Sequence, residues 1–152
     1  MQVKVLMVCL GNICRSPLAE GILKQKTSHL NVFVDSAGTS NYHVGDPPDE
    51  RSVQIAKKYG IDITSQRGRQ FQVSDFDEFD LIFAMDKSNY YDILSLARNE
   101  SDKNKVELIL NLLNPDKNID VPDPYYGGGD GFQNVYKMLD KACDILVERI
   151  GK

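Results

Sequence analysis

The chain has no tryptophan, only two histidines and only three cysteines. Cys9, Cys14 and Cys143 are too few, and odd in number, for a disulfide framework, which argues for a reducing environment. The longest apolar run, Val5 to Leu10, is far too short to cross a bilayer. Near Lys4 there is neither the long apolar region nor the small-residue cleavage site of a signal peptide, so the expectation is a cytoplasmic protein with no membrane association. No basic stripe is present. The net charge is -4, which argues against a nucleic-acid binder. No Walker A pattern (G-x-x-x-x-G-K-S/T) occurs, so a nucleotide P-loop is not expected. Repeats and linkers are absent. The nearest thing to a low-complexity tract, Gly127-Gly128-Gly129-Asp130-Gly131, reads as a flexible loop.

What remains is ordinary globular composition, 41% hydrophobic and 26% charged, over 152 residues. That length suits one domain, 1–152, large enough to bury a core without staples. Charge is uneven: nine Lys/Arg against seven Asp/Glu in residues 1–76, and nine against fifteen in residues 77–152. An anion would be better received by the first half. Val3 to Val8, apolar on both faces, predicts a central parallel strand. After a short turn, Ser16-Pro17 predicts a helix start, with Ser16 as N-cap. Further strands are expected at Val32 to Asp35, Asp80 to Met85 and Val106 to Leu110. Helices are expected at Pro48 to Tyr59, stopping at Gly60, and at Lys87 to Arg98. Phe132, Val135, Tyr136, Leu139, Cys143, Leu146, Val147 and Ile150 follow the helical i, i+3, i+4, i+7 pattern. Alternating strands and helices imply an α/β fold with a parallel sheet.

The chemistry concentrates in the first turn, Cys9-Leu10-Gly11-Asn12-Ile13-Cys14-Arg15-Ser16. Ligands of open parallel sheets bind beyond the C-terminal ends of strands. Gly11 and Asn12 tolerate positive φ. A loop of that kind closing on a helix N-terminus aims several N–H groups at one point and makes an anion site. Arg15 adds a planar fork for two phosphate oxygens. Cys9 stands at the mouth, where amide dipoles and Arg15 would stabilise a thiolate, a nucleophile toward a bound phosphoryl group. The bland alternative for Cys9 is a small buried hydrophobe at a strand end.

Cys-x-Gly-Asn-x-Cys-Arg-Ser-Pro from Cys9, with Asp123-Pro124-Tyr125-Tyr126-Gly127, resembles the low-molecular-weight protein tyrosine phosphatases. The resemblance extends through Asp35-Ser36-Ala37-Gly38-Thr39-Ser40, Gly45-Asp46-Pro47-Pro48-Asp49 and Met85-Asp86-Lys87-Ser88-Asn89. It implies a three-layer α/β/α fold with a four-stranded parallel sheet in the order 2-1-3-4. It implies hydrolysis of phosphotyrosine in proteins through a phosphocysteine on Cys9. Arg15 then binds phosphate and Asp123 is general acid and base, with Leu10, Gly11, Asn12, Ile13, Cys14 and Ser16 around the phosphate. Tyr42, Tyr125 and Tyr126 match the aromatic pocket walls. Ser36 and Gln66 match supports of the loop, Gln66 standing where many relatives carry a histidine and expected to hydrogen-bond Asn12. Cys14 is either a redox partner of Cys9 or simple packing under the loop. His43, beside Tyr42, reads as surface rather than pocket rim. The resemblance implies no cofactor and no metal. Its implied partners are phosphotyrosine proteins and inorganic phosphate or similar oxyanions, and its implied state is a monomer or weak dimer.

Other uses of such a loop are disfavoured. Arsenate reductases of this fold need additional redox cysteines in mid-chain, and residues 60–100 contain none. A protein-arginine phosphatase branch tends to have Thr at the position of Ile13 and a less aromatic acid loop. A non-catalytic phosphotyrosine-binding module would be expected to lack Cys9 or Asp123.

Overall fold

The computed structural model describes residues 2–124 and 130–151. Four strands, β1 (Val3–Cys9), β2 (Val32–Gly38), β3 (Leu81–Ala84) and β4 (Val106–Leu108), form one parallel sheet in the order β2-β1-β3-β4. The expected α/β class and strand order are therefore present. Central placement explains why β1 is apolar on both faces. Val5, Met7 and Cys9 pack toward α1 (Arg15–Lys26) and the long C-terminal helix, while Leu6 and Val8 pack with Phe76, Phe79 and Ile93 on the other face. Side-chain alternation along the strand thus puts Cys9 on the α1 face, at the sheet's C-terminal edge.

The remaining helices are α2 (Glu50–Lys58), α3 (Asp75–Glu78), α4 (Lys87–Leu94), α5 (Glu100–Asn104) and α6 (Gly131–Ile150). The stripe expected on α6 is buried from Phe132 to Leu146, with Ala142 added, while Val147 and Ile150 are only partly buried. Asp49 caps α2 by accepting from the Arg51 N–H, and Gly60, at φ 79°, follows its end as expected.

Several boundaries differ from the sequence expectations, four of them with an identifiable physical reason. Helix α1 starts at Arg15, two residues early, and Ser16 does not cap it; its hydroxyl is engaged in the loop described below. Pro17 still falls in the first turn, where no N–H is needed. Strand β2 continues to Gly38, because Met7, Val8 and Cys9 on β1 supply pairing partners for Ser36, Ala37 and Gly38 despite their weak strand propensity. Helix α4 ends at Leu94, where the Ser95 hydroxyl donates to the Asp92 carbonyl at 2.6 Å, and Asn99 caps a separate α5. Strand β4 stops at Leu108, and Ile109–Leu112 forms a 3₁₀ turn. Both conformations bury an apolar run, so periodicity did not separate them. Tyr125, Tyr126 and the expected flexible loop at Gly127–Gly129 lie outside the described residues. Among the described residues no helix is long and apolar enough to cross a membrane.

Candidate active site at the end of the first strand

Beyond the C-terminus of β1 lies a cavity of about 180 Å³, lined by Cys9, Leu10, Gly11, Ile13, Cys14, Arg15, Tyr42, His43 and Asp123. The loop is anchored through its carbonyls. Those of Cys9 and Leu10 accept from the N–H groups of Thr39 and Ser40, that of Ile13 from the N–H of Asp49, and that of Cys14 from the Ser52 hydroxyl. A trans peptide turns the following N–H the opposite way, and no cis peptide occurs among the described residues. The N–H groups of Leu10, Gly11, Cys14 and Arg15 are thereby aimed away from the anchoring segments, into a nest suited to an anion. Asn12, at φ 58°, makes the turn that this requires.

The nucleophile candidate is held from two sides. The Asn12 N–H donates to Cys9 Sγ at 3.3 Å, and the Ser16 hydroxyl lies 3.0 Å from the same sulfur. Asn12 Nδ2 donates to Ser16 Oγ at 2.8 Å and Ser36 Oγ at 3.0 Å, and the Ser36 hydroxyl donates to Glu20 Oε1 at 2.6 Å. Ser36 therefore takes up the expected supporting position. Gln66 does not: its Nε2 donates to the Pro17 carbonyl, while Asn12 Oδ1 accepts instead from the Arg69 N–H at 3.0 Å.

Arg15 is nearly fully buried. Its Nη1 donates to Asp86 Oδ2 at 2.7 Å and to the Val121 carbonyl at 2.9 Å, which fixes the guanidinium plane from behind. Nη2 lies 3.8 Å from Asp123 Oδ2. Burial works against the Arg15 charge, but Cys9, Asp86 and Asp123 outweigh it and hold its proton more firmly than usual. Cys14 is also buried. Burial, then Asp49, Cys9 and Asp123, push its thiol up to about 12, with Arg51 opposing. At neutral pH it is therefore a thiol. All three cysteines are free. His43, expected at the surface, instead lines the cavity.

Glu20, Asp86 and Arg69 escaped the sequence reading. Asp86 carried the one available signal, a capping residue directly after a strand on the C-terminal side of the sheet; its carboxylate accepts from the Asn89 N–H. Glu20 looks like an ordinary helical glutamate until the fold buries it. Desolvation raises its pKa above the ordinary glutamate value, against the hydrogen bonds from Lys24 and Ser36. A raised folded-state pKa contributes stability that is complete at low pH and is lost as pH climbs through that value. Glu20→Gln keeps an acceptor for Ser36 and removes the titration. Wild-type Tm should therefore fall relative to the variant's as pH rises above the ordinary glutamate value of about 4.3; an unchanged difference in a thermal melt series would contradict this.

Gly38 sits opposite Cys9 in the β1–β2 register. A Cβ there would lie 2.8 Å from the Leu10 carbonyl oxygen and 3.1 Å from the Asn12 nitrogen, backbone atoms of the loop that cannot simply rotate aside. Gly38→Ala is expected to displace the loop and lower kcat/KM by roughly 10-fold or more. Steady-state kinetics check this, and a variant at wild-type rate would mean that the loop position matters little.

Among the described residues no group of three or more His, Cys, Asp or Glu could hold a metal ion. The family model for low molecular weight phosphotyrosine protein phosphatases matches residues 4–152. The human low molecular weight phosphotyrosine protein phosphatase is 40% identical over 150 residues, covering 95% of this chain and 94% of its own. A protein tyrosine phosphatase from Entamoeba histolytica, solved with Hepes in its active site, is 41% identical with a TM-score of 0.90, covering 98% of this chain and 97% of that one. A drosophila arginine phosphatase is 34% identical with a TM-score of 0.90, covering 99% of both chains.

Proposed function

This chain belongs to the low molecular weight phosphotyrosine protein phosphatase family, and we propose that it hydrolyses phosphotyrosine in proteins with Cys9 as nucleophile. The observation that carries the reading is the loop itself: a sulfur held by the Asn12 N–H and the Ser16 hydroxyl, beside anchored peptides and a buried arginine. In this reading the phosphate sits in the nest, and Arg15 binds two of its oxygens. The Cys9 thiolate attacks phosphorus, an S–P bond forms, and the P–O bond to the tyrosyl oxygen breaks. Asp123, protonated, gives its proton to that oxygen. In the second step the Asp123 carboxylate takes a proton from water, the water oxygen attacks phosphorus, and the S–P bond breaks. The Ser16 hydroxyl, 3.0 Å from the sulfur, steadies the departing thiolate. No metal or cofactor enters either step.

Tyr42, with Tyr125 and Tyr126, would wall a slot that admits a phosphotyrosine ring and leaves phosphoserine too short to reach Cys9. Cys14, in the same cavity lining, is proposed as the thiol that attacks a Cys9 sulfenic acid formed by a peroxide, making the S–S bond and releasing water. The protein is proposed to act as a single cytoplasmic domain, 1–152, as a monomer or weak dimer. The likeness to an arginine phosphatase supports a second reading, against which stand Ile13 in the cavity wall and the paired tyrosines after Asp123. Phosphate release from matched phosphotyrosine, phosphoserine and phosphoarginine peptides, with EDTA present, tests the choice. Release from phosphotyrosine alone is expected. Release from phosphoarginine alone would keep the Cys9 chemistry and overturn the substrate.

A further inference from the structure

We infer that His43 is a specificity-determining residue: its imidazole, braced by Asp46, recognises an acidic side chain flanking the phosphotyrosine. The inference rests on reading the Cys9 cavity as a phosphotyrosine site.

The cavity grades from a dry floor to an open rim. Cys9 and Arg15 are each 2% exposed, whereas the His43 side chain is 38% exposed. The phosphate belongs at the floor, so a residue next to the phosphotyrosine comes within reach of the rim where His43 stands. The ring is held against the loop by its Cδ2–Nε2 edge. A Cβ placed on Gly11 would lie 3.0 Å from Cδ2 and 3.8 Å from Nε2, so the imidazole packs closely on Gly11 and a side chain there would push it back. The other edge is tethered, with Nδ1 3.0 Å from Asp46 Oδ2. A carboxylate can only accept, so Asp46 takes the Nδ1–H and a second proton on the ring must sit on Nε2, the atom beside the loop.

The backbone carrying the ring is clasped. The Asp46 N–H donates to the His43 carbonyl, the Gly68 N–H to the Asp46 carbonyl, and the Gly45 N–H to the Gly68 carbonyl. Gly45 closes the turn at φ 86°.

The charged and titratable groups around the ring are few. Asp46 stands on its own loop. Cys9, Cys14 and Arg15 come from the loop and helix beneath, Asp123 from across the cavity, and Tyr42 from the rim. Arg67 and Arg69 flank Gly68, but their side chains are committed elsewhere: Arg67 to the carbonyls of Thr64 and Gln66, and Arg69 to Asp35 and Asp75. Thus, among the described lining residues, His43 is the rim group whose ring nitrogen can switch between acceptor and donor. Unprotonated, Nε2 is an acceptor and offers nothing to a carboxylate. Protonated, it donates a charge-assisted hydrogen bond. Preference for acidic flanks should therefore be strongest at low pH and fade as pH rises.

The test compares two phosphotyrosine peptides, identical except for Glu or Gln on both sides of the phosphotyrosine. The readout is the ratio of their kcat/KM values at about pH 5.5 and about pH 8 for wild type, His43→Gln and His43→Lys. For wild type the ratio should be about two- to fivefold at the lower pH, the scale of a partly exposed ion pair, and near one at the higher. His43→Gln should give a ratio near one at both. His43→Lys should keep the preference at both, because its charge does not change in that range. A wild-type ratio near one at low pH, a Gln variant that keeps the wild-type ratio, or a Lys variant whose preference still vanishes would overturn the inference. Turnover of neither peptide by wild type would overturn the phosphotyrosine reading instead, and this inference with it.

Discussion

Cys9→Ser is expected to abolish turnover, by at least about three orders of magnitude, while oxyanion binding persists. A serine hydroxyl at that position is far less acidic than a thiol, so it is not ionised near neutral pH and forms no phosphoryl-enzyme at a useful rate. The rest of the anion site does not depend on sulfur. The carbonyls of Cys9, Leu10, Ile13 and Cys14 stay anchored to Thr39, Ser40, Asp49 and Ser52, so the peptide N–H groups keep their direction. Arg15 stays fixed by Asp86 and the Val121 carbonyl. Phosphate or vanadate binding by calorimetry, together with a steady-state rate, separates the two effects. Near wild-type turnover would remove Cys9 from the mechanism. Loss of turnover together with loss of binding would mean that the sulfur is needed to shape the loop rather than to react.

Asp123→Ala is expected to lower kcat by about 100-fold or more on phosphotyrosine, and much less on aryl phosphates with good leaving groups. Tyrosinate is a poor leaving group unless protonated, whereas an electron-poor phenolate departs without help. In the proposed mechanism Asp123 is positioned by Pro124, which restricts the backbone before it, and it lies across the cavity 3.8 Å from Arg15 Nη2. Leaving-group dependence of the rate is the readout. Equal losses on all aryl phosphates would argue that Asp123 orients Arg15 or the loop rather than donating a proton.

How much of this was legible in the sequence depended on sequence distance. The Cys9–Arg15 turn is contiguous, its residue types each have a physical reason, and the structure brings them around one cavity. The strand that presents it was legible too, because a run apolar on both faces belongs in the middle of a parallel sheet. The strand order was not; it came with the family resemblance. Buried partners that arrive from elsewhere were illegible. Glu20 is four residues after Ser16 on the same helix, yet nothing local says that Ser36 will donate to it. Asp86 is 71 residues from the arginine it holds.

Gln66 shows the limit of carrying a role across by position. The Arg69 N–H already occupies the Asn12 acceptor, and the Gln66 amide turns to Pro17. For Ser16 only the capping role fails. A serine before proline has the form of an N-cap, but the hydroxyl is worth more beside a buried sulfur and the Asn12 amide. His43 read as surface because a lone histidine in a polar loop usually is; only the packing of its ring against Gly11 places it at the rim.

The central claim is that the phosphoryl group passes through Cys9. The most direct test is to mix the enzyme with a phosphotyrosine peptide, quench in acid during turnover, and measure by mass spectrometry the proteolytic fragment that carries Cys9. The expected result is a gain of one phosphoryl group on that sulfur, increased in Asp123→Ala if hydrolysis of the intermediate slows more than its formation, and absent in Cys9→Ser. Steady turnover with no phosphoryl group on Cys9 at any quench time, in wild type and in Asp123→Ala alike, would contradict it and leave direct attack by water as the route.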